Sequence, residues 1–152
     1  MTQQPSFTDF NATMRKFGAP QTIIRGYQHW TVLLRPAQVT LGALVLAAHE
    51  PVTAFSQLSP DSFTELATVT RHIESTLTQA FQYNRINYVM LMMVDPDVHF
   101  HVLPRYSSPQ SFAGMVFVDA GWPGVPNLGE PNQTDSTINQ HILQQLRSCW
   151  PE

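Results

Sequence analysis

Positive charge is what this chain most lacks. Of its 152 residues eight are Lys or Arg against eleven Asp or Glu, a formal net charge of −3, and Lys16 is the sole lysine. A protein that grips a nucleic-acid backbone needs a basic stripe to neutralise many phosphates. This sequence does not supply one, so no nucleic-acid partner is expected. A small nucleotide needs only a local positive patch, and that ligand class survives. Cysteine is nearly missing too. Cys149 stands alone, which excludes an intrachain disulfide and the secreted, disulfide-stapled class. Long apolar runs are absent: the longest, Val89 to Val94, is far short of a membrane span. Met1 to Asp9 is a polar, loose tail with no basic segment leading into an apolar one, so no signal peptide is expected. A cytoplasmic protein with no membrane partner follows as the expectation.

What is present suits a globular core. The hydrophobic fraction is 43%, and the length fits one domain over residues 1–152. Phe10 to Phe17 reads as a short helix stopped by Gly18 and Pro20. His29 to Leu34 is aromatic and branched, a strand pattern. Arg35-Pro36-Ala37-Gln38 makes a turn, and Val39 to Ala48 resumes as strand, so the two pair as a hairpin. Ser59 and Pro60 supply an N-cap and a first-turn proline. Phe63, Leu66, Val69, Ile73, Leu77 and Phe81 then recur at three and four, predicting a helix over 60–82 with one face on a sheet.

Ile86 to Val94 reads as a central strand. Asp95-Pro96 bends the chain. Val98 to Leu103 forms the next strand, with Pro104 at its end, and Gly114 to Val118 a short one. Gly121 to Pro131 is an ordered arm whose Trp122 and Val125 call for burial. A last helix spans about 136–148, capped by Asp135, with Ile138, Ile142, Leu146 and Cys149 in a stripe. Trp122, Trp150 and Phe112 suit either a subunit interface or local packing. The order predicts an α+β fold: an antiparallel sheet of about five strands, one long helix and shorter terminal helices.

The informative string is Asp95-Pro96-Asp97-Val98-His99-Phe100-His101-Val102-Leu103-Pro104-Arg105-Tyr106. Strand alternation puts Asp97, His99 and His101 on one face and Val98, Phe100 and Val102 on the core face. Three readings compete. Imidazole and carboxylate are ligands for zinc or iron. A cupin-like glutamate is missing, Arg105 and Tyr106 standing in its place, while His29, His49 and His72 remain candidate third ligands. Alternatively, a neutral imidazole attacks phosphorus to form a phosphoramidate that water then cleaves. One ring nitrogen attacks while the other donates to a fixed acceptor, usually a backbone carbonyl. The third reading is structural: two partly buried strand histidines.

The string resembles the histidine-triad (HIT) superfamily, whose motif alternates three histidines with apolar residues. The stretches Gln38 to Leu46, the 60–82 helix and Asn87 to Tyr106 are similar to a bacterial HIT-like branch related to diadenosine tetraphosphate hydrolases. The motif-bearing core is about 28–106, with a loop-rich and helical part over 107–152, where Trp122-Pro123-Gly124 is similar to the end of that branch. The resemblance implies a nucleotide-binding domain, usually a homodimer. It implies hydrolysis or nucleotidyl transfer at an α-phosphate, dinucleoside polyphosphates included, or a nucleotide-binding regulatory module without catalysis. The central histidine falls on His99, the nucleophile, and the last on His101, a phosphate or ribose-side contact. The first falls on Asp97, which departs from the pattern. An aspartate there accepts a proton and orients an imidazole, yet repels phosphate.

Asn87 resembles the amide that family members use near the transferred phosphate. Arg105 is a candidate bidentate phosphate contact, and Gln38 a candidate at the hairpin turn, with a cap as the alternative for each amide. His49 ends a strand and reads as a surface histidine. Phe10, Phe17, Ile23 and Trp30 are candidates for the base pocket or for core. No metal ligand is assigned: the nucleophile requires no cofactor, although a divalent cation can accompany a polyphosphate substrate.

Overall fold

A computed structural model describes residues 10–152. The polar tail Met1–Asp9 lies outside the described residues. Five strands form one antiparallel sheet: β1 (Ile23–Gly26), β2 (Trp30–Leu34), β3 (Leu44–Ala48), β4 (Arg85–Val89) and β5 (His99–Arg105), in the spatial order β1-β2-β3-β5-β4. Helix α1 (Ala12–Lys16) precedes the sheet, α2 (Pro60–Phe81) links β3 to β4, and α3 (Ser136–Cys149) closes the chain. A separate hairpin pairs β6 (Gln110–Phe112) with β7 (Met115–Phe117). The α+β class with a five-stranded antiparallel sheet, a long helix and shorter helices is therefore what the chain adopts.

The caps form as their chemistry dictates. Asn11, Ser59 and Asp135 each accept a backbone N–H from the first turn of α1, α2 and α3 respectively. Alternation splits the sheet into two faces. Val32, Leu34, Leu44, Leu46, Val98 and Val102 pack on Val69, Ile73, Leu77 and Phe81 of α2 and on Ile142, Leu143 and Leu146 of α3. Each fully buried aliphatic side chain there contributes about 1.5–3 kcal/mol. On the other face Leu33, Val45 and Ala47 meet Phe10, Met14 and Ala19 from the N-terminal segment.

Several boundaries differ from the sequence pattern. Residues 39–43 form a loop, so β3 starts at Leu44 rather than Val39. Gly42 sits at φ +86°, where a Cβ would lie 2.9 Å from the Phe81 ring, and a strand cannot run through that conformation. β1, a strand beyond those expected from the sequence, pairs with β2. β4 ends at Val89, and Met92 at φ +51° turns the chain out of the sheet. β5 instead runs past Pro104 to Arg105. Beyond Val102 its only ladder partner among the described residues is β4, so the missing proline N–H leaves no gap against β3. Phe63, expected on the buried stripe, is 39% exposed, and Val125 is 84% exposed instead of buried. Trp150 is locally packed: it is buried and its Nε1 donates to the Tyr27 hydroxyl. No helix among the described residues is long and apolar enough to cross a membrane.

Candidate active site

β5 carries the motif, and its register against β3 sets where the histidines stand. His99 lies opposite Ala47 and His101 opposite Val45. Both rings rise on the face away from α2. They meet edge to face with centroids 5.2 Å apart. Phe17, just after α1, covers them, its ring 6.1 Å from His99 and 5.7 Å from His101. Together they floor a cleft of about 240 Å³. Lys16 and Phe17 form one wall, Arg35 another, and Leu91 to Asp95 with Leu128 the rest. That volume is just under the roughly 300–1,000 Å³ of small-molecule sites.

His99 is 2% exposed, so it meets solvent only through this cleft. Its Nδ1 lies 2.6 Å from the carbonyl oxygen of Asp97. A carbonyl only accepts, so Nδ1 carries the proton and, in the neutral ring, Nε2 keeps its lone pair. The acceptor that fixes the ring is thus the Asp97 backbone. The Asp97 carboxylate does something else: it accepts the Thr13 hydroxyl at 3.1 Å, tying α1 to the strand entry.

His101 is 7% exposed. Burial, then the neighbouring Arg35 and His99, push its pKa down to about 4, with Asp95 opposing. It is therefore neutral near pH 7. Arg35 Nε, which only donates, points at its Nδ1 over a long 3.4 Å, so the ring proton sits on Nε2. Arg35 is also anchored through Nη1 to the Ala37 carbonyl at 2.7 Å. Burial lowers its pKa, but a guanidinium stays charged in any folded protein.

Three expected ligands stand elsewhere. Arg105 shares the histidines' face but is 3% exposed. Its Nε and Nη2 donate to Asp119 at 2.7 and 3.0 Å, and its Nη1 donates to Asn87 Oδ1 at 2.8 Å. Arg105 and Asn87, expected as phosphate contacts, are thus bonded to each other, Arg105 also to Asp119, and neither is among the residues lining the cleft. Gln38 is buried and folds the 35–43 loop, donating to the carbonyls of Arg35 and Ala43 and accepting from Gly42 N–H. It is a loop cap. His49 bonds Thr31 and the Gln28 carbonyl, and His72 the Tyr27 hydroxyl. Neither lines the cleft, and no group of three or more His, Cys, Asp and Glu suited to a metal forms among the described residues. Of the candidate base-wall residues only Phe17 lines it; Trp30 belongs to the α2 core, and Phe10 and Ile23 to the N-terminal cluster.

Sequence reasoning missed Lys16 and Arg35. Arg35 was legible in part, because alternation through Thr31 and Leu33 carries it to the same face as the histidines. Lys16 had only its rarity to mark it.

No curated protein matches the sequence. Among solved structures, a histidine triad protein from Bradyrhizobium japonicum superposes with a TM-score of 0.72 at 19% identity, over 93% of this chain and 96% of its own. One from Sinorhizobium meliloti gives 0.71 at 17% identity, over 91% and 94%. A third, from Marinobacter aquaeolei, gives 0.69 at 16%, over 90% and 93%. At these identities the likeness speaks for the fold. The HIT domain family model matches residues 20–108, more than half of the chain and all of the histidine-bearing strand, and the protein therefore belongs to the HIT-domain family.

Proposed function

We propose that the cleft is an active site for nucleotide hydrolysis or nucleotidyl transfer at the α-phosphate, with His99 as the nucleophile. The observation that carries this reading is the 2.6 Å bond from His99 Nδ1 to the Asp97 carbonyl, which leaves Nε2 as the unprotonated nitrogen. Nε2 attacks phosphorus, a P–N bond forms, and the bond to the leaving group breaks with its electron pair. Water then cleaves the P–N bond, releasing the mononucleotide and returning the neutral ring. His101, neutral with its proton on Nε2, donates to a phosphoryl oxygen, and Arg35 offsets the developing negative charge. Dinucleoside polyphosphates fit this scheme because their leaving group departs as a stable anion. A divalent ion then travels with the phosphates.

The test is His99→Ala with a labelled dinucleoside polyphosphate. The wild type is expected to give mononucleotide and, on rapid quenching, a nucleotidyl-protein adduct. The variant should lose turnover by more than a thousandfold while still binding nucleotide. Undiminished turnover would remove His99 from the reaction. Binding by the wild type without adduct or product would favour the second reading, a nucleotide-binding regulatory module.

A homodimer is proposed as well. β4 is a sheet edge. Beside it Phe55 (41% exposed) and Phe63 (39% exposed) extend an aromatic cluster with Phe100 and Tyr88, a composition suited to an interface. Phe63→Glu should shift sedimentation to the monomer; an unchanged profile would place any interface elsewhere.

A further inference from the structure

The cleft contains a carboxylate where anions are to bind. Among the described residues lining it, Asp95 is the lone acid. Its Oδ2 lies 2.6 Å from Lys16 Nζ, with side-chain exposures of 48% for Lys16 and 21% for Asp95. The two cations of the cleft are therefore in different states. Arg35 is fixed by the Ala37 carbonyl and set against His101. Among the described residues, Lys16 Nζ has Asp95 as its hydrogen-bond partner and lies 5.7 Å from the centre of the Phe17 ring, at the end of a flexible four-carbon stem.

We propose that Lys16 is an anion-binding residue caged by Asp95, and that the incoming phosphate group frees it by displacing the carboxylate. Asp95 is thus a built-in competitor that sets the affinity and selects for substrates with enough negative charge to win the lysine. The inference rests on the reading that this cleft receives phosphates. A phosphate of charge near −2 attracts an ammonium more strongly than a carboxylate of −1 at the same distance. Lys16 is free to swing because α1 has an independent tether: Thr13 stays bound to Asp97. The exposed stem lets Nζ trade partners without unfolding the helix.

A plain structural latch and a cage predict different signs. If the pair only pinned α1, cutting it from either side would weaken binding alike. In a cage, Asp95→Asn releases Lys16 and tightens binding, while Lys16→Met removes the cation and weakens it. Calorimetric titration of the full chain with inorganic pyrophosphate, ADP and uncharged adenosine separates these. For both anions, Asp95→Asn should lower Kd about three- to tenfold and Lys16→Met raise it by a similar factor, as expected for one partly exposed charge. The gain from Asp95→Asn should fall at least twofold when introduced into Lys16→Met. Affinity for adenosine should stay level in all variants. Shifts of the same sign in the two single variants, an undiminished gain in the double variant, or equal effects on adenosine would overturn the cage. Failure of the wild type to bind either anion would overturn it too, and the proposed function with it. Opposite shifts with pyrophosphate but no binding of ADP would leave the cage standing and remove the nucleotide reading.

Discussion

Replacing Asp97 by alanine is expected to cost stability and spare chemistry. The reason lies in which part of the residue does what. The carbonyl that orients His99 belongs to the backbone and survives the change. The side chain holds Thr13, whose hydroxyl is in a residue only 1% exposed. Truncation therefore strands a buried hydroxyl, a loss of about 2 kcal/mol. For a chain of this length that is a fall in Tm of about 4–8 °C. Thr13→Val removes the donor but leaves a half-buried carboxylate that water can reach, so it costs less, about 1 kcal/mol. In the Thr13→Val background Asp97→Ala should then cost little further, because the stranded group is gone. Urea denaturation of the four proteins in this cycle reads the coupling directly. Turnover of a dinucleoside polyphosphate by Asp97→Ala, and by Asp97→His, should stay within about threefold of the wild type, under 1 kcal/mol of barrier. Additive stability losses would sink the Thr13 account. A thousandfold drop in kcat with unchanged nucleotide affinity would mean the carboxylate itself acts in the reaction.

The buried pair behaves differently. Asp119→Ala leaves the Arg105 guanidinium uncompensated, with side-chain exposures of 4% and 1% in the wild-type pair, and should cost about 3–5 kcal/mol by chemical denaturation. The affinity of the remaining folded molecules for pyrophosphate should not change, and a large change would bring Arg105 back into the site. His101 gives a pH signature. Folded, it takes a proton only near pH 4, whereas in the unfolded chain imidazole does so near pH 6.5. The unfolded state binds more protons in that window, so stability falls as pH drops from about 6.5 towards 4. His101→Asn should make the fall in urea midpoint between pH 7.5 and pH 5 shallower; an unaltered slope would refute the burial of a neutral ring.

The alternation of His99 and His101 against Val98, Phe100 and Val102 needed nothing beyond local sequence, and neither did the capped, striped α2. Those features are dictated within a few residues by backbone period and cap chemistry. The cleft was hidden because its walls come from far apart: Lys16 and Asp95 meet across 79 positions. The partner of Arg105 was hidden for the same reason. Its place after the motif is visible, but the carboxylate that claims it sits on a loop beyond a hairpin, and a sequence does not show which acid an arginine will choose. The ends of β4 and β5 were not legible because Met92 and Pro104 obey their ladder neighbours, or the lack of them, more than their own propensities.

Tethering of α1 to the 95–97 segment has a practical corollary for anyone shortening the chain. A fragment trimmed to the family-matched stretch, 20–108, would keep both imidazoles and discard Thr13, Lys16, Phe17 and Leu128, along with the α3 side chains Ile142, Leu143 and Leu146 that line the opposite layer. What defines the homology is therefore smaller than what shapes the cleft, and a bulky fusion placed directly before residue 12 would press on the very helix that leads into its Lys16 and Phe17 wall.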